Sequence, residues 1–223
     1  MKLSDETIEI LKNFATINQG LVVKPGSVLK TITPSRSVLA ISRVVESFPV
    51  SFALYDLNKF LAKLSLYRDA ELEFETDRIV IKSDDGKRTD YIKYSSPEVV
   101  KGPPDKELVM DKPDYEFTLT QEDLIWQRKS AGISGSENFV FRGDGKHIYL
   151  QSNTIKDDSS DLSSTVIGDT DGVFSCVLQV ANFKLLDGAY NVKLSKAGLT
   201  KFEHTTKNVQ YYVAVESGLS EWK

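Results

Sequence analysis

A chain of 223 residues with 28 Lys+Arg against 32 Asp+Glu carries a net charge of −4 and has a pI near 5.4. That balance excludes a uniformly basic nucleic-acid coat, although the distribution of charge can still create local positive faces. The single Cys176 excludes an intramolecular disulfide and fits a reducing compartment, and no apolar run approaches the roughly 20 residues of a membrane helix.

The opening Met1-Lys2-Leu3-Ser4-Asp5-Glu6 lacks the basic and apolar parts of a signal peptide, so a cytoplasmic protein without membrane contact is expected. Residues 4–18 predict a helix: Ser4 supplies a capping hydroxyl, Asp5 and Glu6 sit in the first turn, and Gly20 follows the end. Ile8, Ile10, Leu11, Phe14, Ala15 and Ile17 cover one half of its surface; Asp5, Glu9, Lys12, Asn13 and Thr16 cover the other. Pro25-Gly26 turns the chain between two β segments, and further strands are expected at 38–45 and 48–54. A second helix is expected at 56–66, with Leu57, Phe60, Leu61 and Leu64 on one face and Lys59 and Lys63 together on another. Asp84-Asp85-Gly86 marks a hairpin between 78–82 and 88–94.

Between residues 95 and 113, Pro97, Pro103, Pro104 and Pro113 interrupt any periodic pattern. The expected organisation is therefore an N-terminal domain (1–96), a connector (97–113) and a C-terminal domain (114–223). Val99-Val100 and Leu108-Val109-Met110 in the connector could equally form an edge strand. The second half repeats the plan of the first. A helix capped by Thr120 is expected at 120–133, a hairpin at Gly143-Asp144-Gly145, a polar loop at 157–164 and a short helix at 180–186, with alternating strands at 190–194 and 209–215. The fold class read from this pattern is α+β, two similar domains each with two helices packed on antiparallel sheets.

No catalytic constellation accompanies the duplication. There is no P-loop, and His147 and His204 have no paired Cys/His spacing for zinc. Asp169-Thr170-Asp171-Gly172 lacks the remaining ligands of a calcium loop and reads as a turn. Cys176 lies in an apolar β segment and reads as core. A small hydrolase using Asp/Glu pairs is thereby disfavoured; no cofactor and no enzyme activity are expected. What remains is that every expected helix carries a cation, Lys12, Lys59, Lys63, Arg128, Lys129 or Lys184, in an acidic chain. If the helices converge, they form a positive surface suited to phosphates without reading base sequence.

Several of these residues also carry a family resemblance. Met1-Lys2-Leu3-Ser4, Leu11 to Asn18 and Gly20 closely resemble the start of the sliding clamps of T-even-type bacteriophages. Tyr55-Asp56-Leu57-Asn58 with Phe60-Leu61 and Leu64-Ser65-Leu66 resembles their second helix. Ala181-Asn182, Lys184, Gly188, Tyr190, Lys201-Phe202-Glu203 and Tyr212 to Glu216 resemble their C-terminal domain. The resemblance implies the DNA-clamp fold and a homotrimeric ring around double-stranded DNA, with the six cations toward the hole. It further implies a tethered DNA polymerase, a clamp-loader complex driven by ATP, support of RNA polymerase in late transcription, and action in the infected bacterial host. Subunits of that family pair edge strands, here expected between 88–94 and 162–167 of the next copy. Its partners insert a peptide tail into an apolar pocket, for which Val99, Val100, Leu108, Val109, Met110 and Trp222 are candidate walls. The rival reading is a non-enzymatic viral structural or accessory protein that assembles without DNA.

Overall fold

Helix α1 (Asp5–Ile17) begins where the cap signal lies: Ser4 Oγ accepts from the Thr7 amide, and Asp5 and Glu6 occupy the first turn. Ile10, Leu11, Phe14 and Ile17 form its buried stripe. The computed structural model describes all residues except Asp105, Glu107 and Asp111, and the chain divides into two compact units, Met1–Glu107 and Leu108–Lys223.

In the first unit α1 is followed by β1 (Leu21–Val23), β2 (Gly26–Ile32), β3 (Val38–Phe48), β4 (Phe52–Leu54), α2 (Leu57–Leu64), β5 (Glu71–Phe74), β6 (Arg78–Lys82) and β7 (Thr89–Lys93). β2 and β3 pair antiparallel, as do β1 and β4. The last three strands form a sheet in the order β5-β6-β7. Phe48, Phe52 and Phe74 meet with ring centroids 5.4–6.0 Å apart, and Leu57, Phe60, Leu61 and Leu64 turn the buried face of α2 inward. Asp56 caps α2 by accepting from the Lys59 amide.

The break expected within 38–54 lies elsewhere. β3 runs unbroken to Phe48 because its alternation continues through Val44, Glu46 and Phe48, all inward. Glu46 is a buried carboxylate that accepts from the Ser4 amide and the Thr7 hydroxyl at the positive end of α1. Burial alone would raise its pKa, but the Thr7 and Ser4 hydrogen bonds outweigh burial and hold it below the usual value of 4.5.

The second unit contains β8 (Tyr115–Leu119), α3 (Gln121–Ser134), β9 (Asn138–Asp144), β10 (His147–Asn153), β11 (Ser163–Asp169), β12 (Val173–Gln179), β13 (Tyr190–Ser195), β14 (Leu199–His204), β15 (Val209–Ala214) and β16 (Glu221–Trp222). One sheet has the order β11-β10-β9-β12-β16, and β15-β14-β13-β8 run as consecutive neighbours in another. Phe139, Phe141, Phe183, Phe202, Tyr190 and Tyr211 fill the core. From α3 onward the order of elements repeats that of the first unit from α1: helix, four strands, a helical segment, then more strands.

The repeat departs from expectation at its second helix. Residues 180–186 hold only a 3-10 turn, Val180–Asn182, whose capping position Gln179 makes no side-chain hydrogen bond. The Leu186 amide, which a helix would bond to the Asn182 carbonyl, donates instead to the Tyr211 hydroxyl, and the Phe183 and Leu185 carbonyls accept from Arg128. The described part of the connector holds one 3-10 turn, Pro97–Val99, and no strand.

Candidate nucleic-acid interface

Each cation expected at the surface is placed by the element beneath it. Burying Leu11 and Phe14 turns Lys12 outward on α1, where it is exposed. It lines a groove of about 350 Å³ between α1 and the turn after α2, which Lys2 and Arg68 share with Asp5 and Asp69. On α2, Lys59 is exposed one turn before Lys63. Lys63 is half-buried and ion-paired with Asp90 on β7, whose second carboxylate oxygen accepts from Tyr67 at 2.8 Å. Lys63 and Tyr67, in that order, hold the Asp90 carboxyl below the usual range.

α3 carries the last pair, and its two cations have different fates. Lys129 is exposed. Arg128 is partly buried, and its guanidinium donates to Asp187 at 2.9 Å and to the Phe183 and Leu185 carbonyls at 3.0 and 2.7 Å. It also stacks 5.6 Å from the Phe183 ring centroid. Those contacts assign Arg128 to holding the 183–187 segment against α3. Lys184 sits half-buried just beyond the 3-10 turn and not on a helix, so the sequence pattern of a cation on every helix holds for the three α-helices alone.

The buried face of α3 mixes apolar and polar residues. Gln127 is fully buried in the middle of the inward stripe Leu124, Gln127, Ala131, and engages Ser163 and Thr165 of β11 at 3.4 Å. Trp126 (50% exposed) and Ile133 (88% exposed) point outward beside Lys129. The helix ends on Gly135, whose backbone is left-handed at φ 63.

Among the described residues, no group of three or more His, Cys, Asp or Glu could hold a metal. Cys176 is buried, and desolvation pushes its thiol up to about 12, far from a nucleophile. Among the described residues, no helix is long and apolar enough to cross a membrane.

Three curated relatives, each described as a sliding clamp, match nearly the whole chain. The protein of Vibrio phage KVP40 is 31% identical, covering 97% of this chain and 100% of its own length. Those of Escherichia phage RB69 and Enterobacteria phage T4 are 33% and 31% identical, covering 97% of both chains in each case. The chain belongs to the sliding-clamp family of T4-type phages. No family model matches it. Among solved structures, the Sulfolobus tokodaii PCNA2–PCNA3 complex superposes with a TM-score of 0.71 at 12% identity, covering 97% of this chain and 100% of that one. The Helicobacter pylori beta clamp bound to a DNA ligase peptide gives 0.74 at 12% identity, covering 96% and 65%. A. fulgidus PCNA bound to the C-terminal region of FEN-1 gives 0.69 at 13% identity, covering 97% and 98%. The fold is the α+β DNA-clamp fold of these proteins.

The residues expected to contact partners of this clamp scatter. Val99 is 61% exposed, whereas Val100 is buried, with its Cγ1 only 2.8 Å from where a Cβ on Gly20 would stand. Val100 is therefore core, a side chain anchoring the connector to the first unit, and not an open wall. Leu108 and Val109 are exposed and Met110 is half-buried; the Leu108 carbonyl accepts from Tyr212 at 2.8 Å. Trp222 closes the second unit by stacking on Phe174 and Tyr115 at 6.2 and 6.3 Å, paired through β16 to β12. Sequence reasoning missed Asp90 and Asp187, the acids that engage two of the cations. Each lies far from its partner along the chain, and only the fold brings the charges together.

Proposed function

We propose that three copies of this chain close into a ring around duplex DNA and tether a DNA polymerase for processive synthesis. The carrying observation is full-length relatedness to phage sliding clamps. Two sheet ends support it. β7 ends the β5-β6-β7 sheet and β11 ends the five-stranded sheet, each with one unpaired edge among the described residues. β7 exposes Tyr91 (59%) and β11 exposes Val166 (54%), with Leu162 just before β11 at 62%. Open apolar edges promote strand pairing between chains. Because the two edges are different surfaces, their contact is head-to-tail, and such contacts close into rings when the rotation permits.

On this reading Lys12, Lys59 and Lys129 supply loose phosphate contacts on the inner surface, with Lys63 and Lys184 as secondary contributors and Arg128 shaping the surface from beneath. Loose contacts suit sliding, because topology and not affinity retains the protein. The ring performs no chemistry and needs no cofactor. A clamp loader driven by ATP places it, partners dock through peptide tails as FEN-1 and DNA ligase peptides do on the solved clamps, and RNA polymerase with late transcription factors is a further client. The site of action is the cytoplasm of the infected host. For tail docking, exposed Val99, Leu108, Val109 and half-buried Met110 remain the candidate contacts.

The test is primer extension on circular single-stranded DNA with the phage polymerase and loader. A K12A/K59A/K129A variant should assemble to the same mass as wild type but give product lengths several-fold shorter. Unchanged product lengths would overturn the assignment of these lysines, and no stimulation by wild type would overturn the function.

A further inference from the structure

Asp90 occupies a position where a carboxylate needs a reason. β7 pairs with β6 in the register Ile81↔Asp90, and β6 with β5 in the register Leu72↔Ile81. Directly opposed side chains share a face, so Asp90 lies on the same sheet face as two fully buried aliphatic residues. Thr89, Tyr91 and Lys93, the alternate residues, are exposed on the other face. An inward charge on an edge strand carries a desolvation cost unless it is paired. Lys63 and the Tyr67 hydroxyl, both supplied by α2 and its C-terminal turn, meet that need, one at each carboxylate oxygen. The result is a side-chain clip between the helix that bears Lys59 and the strand whose far edge is open. A similar tie exists in the second unit, where Ser130 and Gln127 of α3 hydrogen-bond Ser163 on the other open-edged strand.

We propose that Asp90 is a positioning residue that sets a competition for Lys63: clipped to Asp90 the lysine fixes β7 for pairing with the next copy, and drawn to a phosphate it releases that strand. The proposal rests on the ring reading above. A phosphate on Lys63 shares the ammonium with Asp90 and weakens the clip, so DNA contact through it and firm seating of β7 oppose one another. By linkage the coupling is reciprocal. DNA inside the ring weakens the β7 contact, and a tight β7 contact holds one cation back from DNA, which favours sliding.

Binding of the full chain to a short labelled duplex, followed by anisotropy across a salt series, reads the number of phosphate contacts from the slope of log K against log salt. Light scattering on the same samples reads assembly. D90N should steepen the slope by about one phosphate contact and shift trimer formation to several-fold higher concentration, and D90N/K63M should return the slope to that of wild type. A merely structural Asp90 would weaken assembly without steepening the slope, and that result overturns the proposal. Should D90N fail to fold, K59Q and K63Q in the otherwise unaltered chain decide: K59Q should flatten the slope by about one contact, K63Q by clearly less, and only K63Q should weaken assembly. Equal flattening by both overturns it. Wild type that neither assembles nor shows a salt slope would defeat the ring reading itself, a result distinguishable from failure of the Asp90 clip alone.

Discussion

Glu46 shows how one side chain links distant sequence to local stability. Its carboxylate satisfies the Ser4 amide and Thr7 hydroxyl at the start of α1, and its pKa lies below the usual 4.5. A carboxyl with a depressed folded pKa adds stability that is fully present above the unfolded value and lost as pH falls through the folded one. E46Q should therefore cost about 1–2 kcal/mol near neutral pH, and the gap to wild type in urea melts should narrow as pH falls below 4.5. A gap independent of pH would contradict the assigned role. Arg128 yields a second expectation at the same scale. R128K keeps the charge but loses the fork that reaches Asp187 and two carbonyls, so it should lower stability by about 1–3 kcal/mol while K129A leaves stability nearly unchanged. Outward Lys12 and Lys59 were legible in the sequence because helical period alone turns them from the core. The engagement of Arg128 was not, since Asp187 and the Phe183 carbonyl become its neighbours only through the fold. Val100 was misread for a similar reason. An apolar pair between prolines looks available, and only the close approach of Gly20 shows that Val100 is core.

At the level of elements, caps and periodicity located the three α-helices to within a residue or two, and Asp84-Asp85-Gly86 and Gly143-Asp144-Gly145 marked real hairpins. The expected helix at 180–186 stops after one 3-10 turn because the Leu186 amide, which would bond the Asn182 carbonyl, is taken by the Tyr211 hydroxyl, and that carbonyl accepts from the Lys184 amide instead. Periodicity does not register such competitors. The segment then turns on Gly188, which at φ 152 would place a Cβ 2.1 Å from His204 Nε2. The backbone there favours glycine, and an added Cβ would push the His204 ring aside. G188A should destabilise the second unit by about 2–4 kcal/mol in denaturant melts, and a neutral result would mean the 183–188 segment is not held as described. α3 was located by its cap despite a disordered apolar pattern, because its inward stripe centres on Gln127 and its outward face carries Trp126 and Ile133.

For the whole molecule, duplication of one plan was readable from the sequence, and the family follows from relatedness along nearly the full chain. Which strands lie at sheet edges was not readable from composition or period, because edge position is a property of topology. Among the described residues β7 and β11 each have one unpaired side, with Tyr91 and Val166 exposed on them; in the proposed ring these are the two strands that meet head-to-tail. A charge at the centre of one end should oppose assembly without disturbing the fold: V166K is expected to raise the concentration for assembly at least tenfold with an unchanged melting curve. The most direct measurement is the mass of the wild-type chain by light scattering over a dilution series. A closed three-membered ring gives a species of three times the 25.0 kDa chain mass at high concentration, declining toward 25.0 kDa on dilution. A chain that stays at 25.0 kDa throughout, or grows without limit into filaments, would contradict a closed three-membered ring.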